Sequence, residues 1–175
     1  MTPHFFRLLY LGLVSLLPLS LQAAAIGNTA PNCQLTAIES EQTHDFKSFY
    51  GKVVYVDFWA SWCQPCAKSF PFMQQLQQDL SKQGLEVVLV NLDEQAADAK
   101  NFLSKYPGNA LRVVTDSTHQ CAQDYNVEGM PSTYLIDRNG VIRHIHMGFR
   151  PEDAEQLRSL VKELLAEQGG NNKHL

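Results

Sequence analysis

Two cysteines separated by two residues, Cys63 and Cys66, stand directly after the apolar run "VVYVDFWA" at residues 53–60. A pair at this spacing can carry a reversible disulfide, supply half of a zinc site, or only staple the chain. Two further cysteines, Cys33 and Cys121, lie far from the pair on either side. Structural zinc sites usually draw on two close pairs, so this distribution favours redox chemistry and predicts no metal site.

The elements expected around the pair indicate which sulfur attacks. The apolar run is typical of a strand buried on both faces, and the pattern from Pro65 to about residue 83 is helical. A cysteine where the strand turns into the helix meets unpaired backbone N–H groups and the positive end of the helix dipole, which favour its thiolate. We therefore expect Cys63 to attack a substrate disulfide, and the more buried Cys66 to release the product.

Asp57 is the one charged residue of the apolar run. Burial disfavours the ionised form of a carboxyl group, so we expect its pKa to be raised. Such a group can take or return the proton of Cys66 during exchange. The alternative is an edge-strand aspartate that faces water, and the apolar neighbours Val56 and Phe58 argue against it.

The rest of the chain alternates strands with helices and shows no repeat or linker. The further elements expected are a strand at 85–93, a helix at 95–106 closed by Pro107-Gly108, a strand at 111–116, a short helix at 117–127 capped by Ser117 or Thr118, a hairpin turning at Asn139-Gly140, and a helix with Pro151 in its first turn. This order predicts an α/β fold with a mixed sheet covered by helices on both faces.

Composition agrees with one globular domain, since 45% of the 175 residues are hydrophobic and 18% are charged. The formal net charge is −4 at pH 7 and no long basic run is present. Nothing in the sequence resembles a basic, phosphate-binding face, so we expect no nucleic-acid partner.

The first 25 residues have the character of an export signal: a short basic start, an apolar run at 8–21, and an A-x-A arrangement at Ala23 and Ala25. A helix of about 14 residues spans about 21 Å, short of the roughly 30 Å of a bilayer core. We expect a signal peptide at 1–25 cleaved near Ala23 or Ala25, a catalytic domain at 26–168 in the periplasm, and a flexible tail at 169–175. An uncleaved membrane anchor is the alternative.

The segment "VDFWASWCQPC" closely resembles the active-site segment of thioredoxins, and Pro71 matches the proline that kinks their active-site helix. "VEGMPSTYLID" is similar to the family's cis-proline loop, which implies a cis Met130–Pro131 bond. Gly148 matches a glycine of the family's substrate groove. The resemblance implies a thioredoxin fold and these substrate-binding residues: Trp62, Gln64, Pro65, Met130, Pro131 and Gly148.

The segment Gln95–Asp116 is foreign to minimal thioredoxins. A helix and a strand inserted after the second buried strand resemble the exported TlpA-like branch, which includes thioredoxins of cytochrome c maturation. This resemblance implies a monomeric protein-disulfide reductase without a cofactor, acting on envelope proteins and kept reduced by a membrane donor of the DsbD or CcdA type. A periplasmic oxidase or isomerase, or a copper-binding chaperone of the Sco type, are the alternatives.

Two residues depart from the family pattern. Ser69 stands where ResA-type members carry a glutamate, which argues against a haem-specific role. Leu89 stands where thioredoxin pairs its buried aspartate with a lysine, so we expect Asp57 to keep its proton to still higher pH. His144 and His146 share a strand face, and we interpret them as surface residues rather than copper ligands.

Cys33 and Cys121 allow three interpretations. A structural disulfide between them would stabilise the fold by roughly 4–5 kcal/mol on the chain-entropy model. They could instead form a second redox pair that relays electrons to Cys63, or remain two independent thiols. The oxidising compartment favours the structural disulfide.

Overall fold

The computed structural model describes residues 24–40, 42–106 and 111–167. Most of the expected signal peptide, the Pro107-Gly108 pair and the tail at 169–175 lie outside these residues. Within the described ranges, no helix is both long and apolar enough to cross a membrane.

Seven strands and four α-helices are found in the described part of the chain. The strands are β1 (Gln34–Ala37), β2 (Thr43–Asp45), β3 (Val53–Trp59), β4 (Leu85–Asn91), β5 (Arg112–Thr115), β6 (Ser132–Ile136) and β7 (Ile142–Met147). The helices are α1 (Gln64–Leu80), α2 (Ala96–Leu103), α3 (Gln120–Asp124) and α4 (Asp153–Ala166), with single 3-10 turns at Phe46–Phe49 and Ser81–Gln83.

All seven strands form one mixed sheet in the order β2-β1-β5-β4-β3-β6-β7. The central pairs β3–β4 and β4–β5 are parallel, whereas β6 lies antiparallel to β3 and β7 antiparallel to β6. α2 and β5 follow β4 in the chain, so the predicted helix–strand insertion after the second buried strand is confirmed. The predicted mixed sheet with flanking helices is confirmed as well.

The side chains of β3 alternate between two apolar cores, one on each face of the sheet. Tyr55 and Trp59 pack into the core that contains α1. Val56 and Phe58 pack into the opposite core, with the aromatic side chains around α3. Every residue of β3 is buried, which explains why its sequence is continuously apolar rather than alternating.

The β1–β2 hairpin was not predicted. Its strands have four and three residues, and in β1 Leu35 is the one fully buried side chain. β1 is held by antiparallel pairing with β5 of the insertion, through Thr36↔Thr115. A partner so distant in sequence leaves no local periodicity that could reveal such short strands.

The start of α3 also differs from the prediction. The helix begins at Gln120 rather than at 117, and the residue before it, His119, has a φ of 56° and makes no side-chain capping hydrogen bond. Two upstream side chains accept the free N–H groups instead: Thr118 Oγ1 accepts from Gln120 N at 3.4 Å, and Asp116 Oδ2 accepts from Ala122 N at 2.8 Å. The buried carboxylate of Asp116 therefore stabilises this short helix.

Candidate active site

Cys63 and Cys66 are joined by a disulfide at the amino-terminal end of α1. Cys63 is the N-cap, in extended backbone conformation, and its Sγ accepts a hydrogen bond from Cys66 N at 3.2 Å. Pro65 lies in the first helical turn, where its missing N–H leaves no intrahelical bond unmade. Both cysteines are buried, at 5% exposure for Cys63 and 1% for Cys66, so the expected difference in burial is small.

The residues next to the two cysteines in the sequence are exposed. Trp62 has 70% of its surface accessible, and Gln64 and Pro65 are also exposed. The predicted substrate-binding residues of this segment therefore form the rim beside the disulfide, where another polypeptide can reach them.

Asp93 holds the turn that carries Trp62 and Cys63. Its carboxylate accepts the Ser61 N–H at 3.1 and 3.0 Å and the Ser61 hydroxyl at 3.1 Å, and it also accepts from Asn91 Nδ2 at 2.8 Å. The sequence pattern predicts Asp93 only as the last residue of a strand, but β4 ends at Asn91. The available signal was a pair of polar residues at the carboxyl end of a central parallel strand, where α/β sheets place their sites.

Asp57 lies in the middle of β3 and is 1% exposed. Asp57 is two residues from Tyr55 and two from Trp59 along β3, so all three side chains lie on the α1 side of the sheet. Leu89 of β4 is its partner in the strand register. Its Oδ2 accepts a hydrogen bond from Thr133 Oγ1 at 2.6 Å, whereas Oδ1 is buried without a hydrogen-bond partner among the described residues. Burial raises the pKa of Asp57 to about 7, and the hydrogen bond from Thr133 opposes this rise.

Thr133 is a site residue that the sequence analysis missed. It pairs with Asp57 across β3 and β6, and its hydroxyl lies 3.3 Å from the Tyr55 hydroxyl. A threonine within "STYLID" is an ordinary strand residue by type. Only the register between two strands of distant sequence shows that it contacts the buried carboxyl group.

The loop before β6 carries two of the remaining predicted residues, Met130 and Pro131, and is hydrogen-bonded to the third, Gly148. The Met130–Pro131 peptide bond is cis, as the family resemblance implies. Ser132 pairs with Phe58, so the loop lies beside the end of β3, from which the cysteine segment departs. Gly148 donates its N–H to Pro131 O at 2.8 Å, and Met130 packs against the core that contains both cysteines.

Cys33 and Cys121 are joined by a second disulfide between residues separated by 88 positions. Both are buried in the core on the face of the sheet opposite α1, whereas Cys63 and Cys66 belong to the α1 core. The full thickness of the sheet therefore separates the two disulfides, which speaks against electron relay between them.

The other candidate ligands do not converge. His144 and His146 of β7 are half-exposed, and His146 Nε2 lies 3.3 Å from Asp153 Oδ2 at the start of α4. In residues 24–40, 42–106 and 111–167, no group of three or more His, Cys, Asp and Glu side chains could hold a metal ion. Ser69 is buried and donates to Cys66 O at 3.0 Å, so a small hydroxyl occupies the position of the ResA-type glutamate.

Comparison with known proteins gives consistent matches over most of the chain. The protein-family model described as Redoxin matches residues 25–164. The thiol-disulfide oxidoreductase ResA of Geobacillus kaustophilus is 36% identical over 135 residues, which cover 77% of this chain and 76% of that protein. ResA of Bacillus subtilis is 33% identical over 126 residues, covering 72% and 69%. The crystal structure of a Chlorobium tepidum protein, assigned as a candidate thiol:disulfide interchange protein DsbE, aligns with a TM-score of 0.77 and 40% identity over 82% of this chain and 99% of that one.

Proposed function

This chain belongs to the Redoxin family, among thiol-disulfide oxidoreductases similar to ResA and DsbE, and from that premise we propose that it reduces disulfide bonds in proteins of the cell envelope. Cys63 and Cys66 are the reacting pair. The observation that carries the proposal is a disulfide closed at the amino-terminal end of a long helix, directly after an exposed tryptophan. A cis-proline loop lies beside the end of β3, the strand that leads into this segment.

In the reduced protein, the amino-terminal end of α1 stabilises the Cys63 thiolate. The Cys66 N–H, which donates to Cys63 Sγ in the disulfide form, is placed to donate to that thiolate as well. The thiolate attacks a substrate disulfide; an S–S bond forms between Cys63 and the substrate, and the first substrate sulfur leaves as a thiolate. The Asp57 carboxylate then takes the proton of the Cys66 thiol. The Cys66 thiolate attacks Cys63 Sγ, the protein disulfide closes, and the second substrate sulfur leaves and is protonated. Two electrons pass to the substrate.

The substrate polypeptide lies between the rim at Trp62, Gln64 and Pro65 and the loop at Met130–Pro131. Extended chains bind to such loops by backbone pairing, which fixes the path of the chain without fixing its sequence. The φ of 80° at Gly148 favours glycine there, and its hydrogen bond to Pro131 O supports the loop from β7.

The chain is proposed to act as a monomer in the periplasm. Residues 1–25 serve as a cleaved signal peptide, 26–168 form the catalytic domain, and 169–175 form a tail. In that compartment a reductase needs an electron source, and a membrane donor of the DsbD or CcdA type would re-reduce Cys63 and Cys66. The Cys33–Cys121 disulfide then has a structural role and stays oxidised.

The reduction potential of the Cys63–Cys66 pair tests the direction of electron flow. A value near −270 mV, about that of thioredoxin, would support the reductase, whereas one near −120 mV would identify an oxidant. The Cys33→Ala/Cys121→Ala variant serves as control, because its titration reports the active pair alone.

Two variants test the division of roles between the sulfurs. Cys63→Ser should abolish reduction of insulin disulfides. Cys66→Ser should accumulate mixed disulfides between Cys63 and envelope proteins, visible on non-reducing gels and absent from the Cys63→Ser/Cys66→Ser double variant. Turnover by Cys63→Ser, or mixed disulfides attached through a different cysteine, would contradict the proposal.

A further inference from the structure

Three buried side chains on two neighbouring strands form a continuous hydrogen-bonded chain. The Tyr55 hydroxyl lies 3.3 Å from Thr133 Oγ1, and Thr133 Oγ1 lies 2.6 Å from Asp57 Oδ2. Tyr55 and Asp57 are two residues apart on β3, so both face the α1 side, and Thr133 lies across from Asp57 on β6. All three are at most 2% exposed.

The donor and acceptor capacities of the three side chains fix the direction of the hydrogen bonds between them. An ionised carboxylate can only accept hydrogen bonds, so the single hydroxyl hydrogen of Thr133 is donated to Asp57 Oδ2. Thr133 Oγ1 then has lone pairs that accept from the Tyr55 hydroxyl. Burial raises the pKa of Tyr55 well above its usual range, which keeps this phenol a donor throughout the neutral range.

We propose that Thr133 is a positioning residue for the reaction: its hydroxyl holds Asp57 Oδ2 and thereby leaves Oδ1 as the oxygen that carries the proton exchanged with Cys66. This inference rests on the proposed function of Asp57 as proton carrier. It adds that Thr133 orients the Asp57 carboxyl group and sets the pH at which this carboxyl group releases its proton.

The surroundings of Asp57 offer no other described group for this task. Leu89 of β4 faces it on one side, and only burial and the Thr133 hydrogen bond shift its pKa appreciably. The titratable or charged groups near this region on the elements packed against it are Tyr55 on β3, Cys66 on α1 and its N-cap Cys63 once the disulfide is reduced, His146 on β7 in register with Thr133, and Asp153 on α4, which pairs with His146.

Removal of the Thr133 hydroxyl should make Asp57 harder to ionise. A hydrogen bond to a charged group corresponds to a shift of about one pH unit or somewhat more. With the wild-type transition near pH 7, a shift of one unit lowers the ionised fraction at pH 7 roughly fivefold and leaves it almost unchanged at pH 9. A purely structural defect would lower activity equally at both values.

The experiment compares wild type with Thr133→Val, which keeps the shape and removes the hydroxyl, and with Thr133→Ser, which restores it. Thr133→Ala is a second variant without the hydroxyl in case the valine does not fold. Two readouts are taken: the carboxyl ¹³C titration of Asp57 by NMR in the oxidised protein, and the rate of insulin disulfide reduction from pH 5 to 9.

We expect both transitions to move to higher pH by about one unit in Thr133→Val and to return to within about 0.3 unit of wild type in Thr133→Ser. Unchanged NMR titration in the valine and alanine variants, or a serine variant that behaves like valine, would overturn the inference. Asp57→Asn distinguishes failure of the proposed proton carrier from failure of the inference about Thr133. If this variant retains the wild-type pH profile of activity, Asp57 is not the proton carrier. The NMR titration still decides whether Thr133 controls the Asp57 carboxyl group.

Discussion

Replacement of Asp57 by asparagine should stabilise the oxidised protein, and the gain should grow with pH. The carboxyl group has a pKa of about 7 in the folded protein against 3.8 in its ordinary state. Below pH 3.8 the carboxyl is protonated in both folded and unfolded chains, and it contributes no pH dependence. Between pH 3.8 and 7 the unfolded chain releases the proton while the folded chain keeps it, so the wild type loses stability as pH rises.

The size of the effect follows from the pKa difference. Each unit corresponds to about 1.4 kcal/mol, so the loss reaches about 4 kcal/mol above pH 7 and is constant thereafter. Asparagine resembles the protonated acid, because its Oδ1 can accept from Thr133 and its second polar atom is as unpartnered as Asp57 Oδ1 is now. Its own cost is therefore independent of pH. A loss of about 4 kcal/mol is a large part of the 5–15 kcal/mol that stabilises a typical domain.

The assay is urea unfolding of oxidised wild type and Asp57→Asn at intervals from pH 4.5 to 8.5. We expect the difference in unfolding free energy to increase by about 3 kcal/mol over this range with unchanged m-values. Asp98→Asn, an exposed carboxylate on α2, is the control and should show no such trend. A gap between Asp57→Asn and wild type that stays constant with pH would refute the reasoning, because Asp57 would then be ionised across the whole range.

Two further predictions concern the structural supports of the site. Cys33→Ala/Cys121→Ala should lower the free energy of unfolding by about 4 kcal/mol on the chain-entropy model, yet keep insulin reduction within about twofold of wild type at 25 °C; loss of activity in folded protein would show that this disulfide takes part in the reaction. Asp93→Ala should lower the free energy of unfolding by about 1–3 kcal/mol, because it leaves the half-buried donors of Ser61 and the buried Asn91 amide without their acceptor. It should also change the alkylation rate of reduced Cys63 at pH 7; Asp98→Ala is the matched control, and equal rates in the two variants would show that Asp93 does not hold the turn.

The sequence predicted those parts of the site that depend on neighbours along the chain. The position of Cys63 at the start of a helix, and the burial of Asp57, follow from residues within a few positions of each. The place of Leu89 opposite Asp57 came from the family resemblance, and the strand register agrees with it.

The missed parts depend on contacts between segments distant in sequence. Thr133 reaches Asp57 across 76 positions, and Asp93 reaches Ser61 across 32. Residue type does not single out these two among the chain's other threonines and aspartates. The β1 strand likewise depends on β5, which is supplied by the insertion.

The two disulfide bonds lie on opposite faces of the sheet. This arrangement separates the bond that is proposed to react from the bond that links distant parts of the chain. The rim at Trp62 lies beside the Cys63–Cys66 bond, whereas the Cys33–Cys121 bond, which ties the segment before β1 to α3, is buried in the core on the other face of the sheet. We therefore expect repeated opening and closing of the Cys63–Cys66 bond to leave the Cys33–Cys121 bond intact.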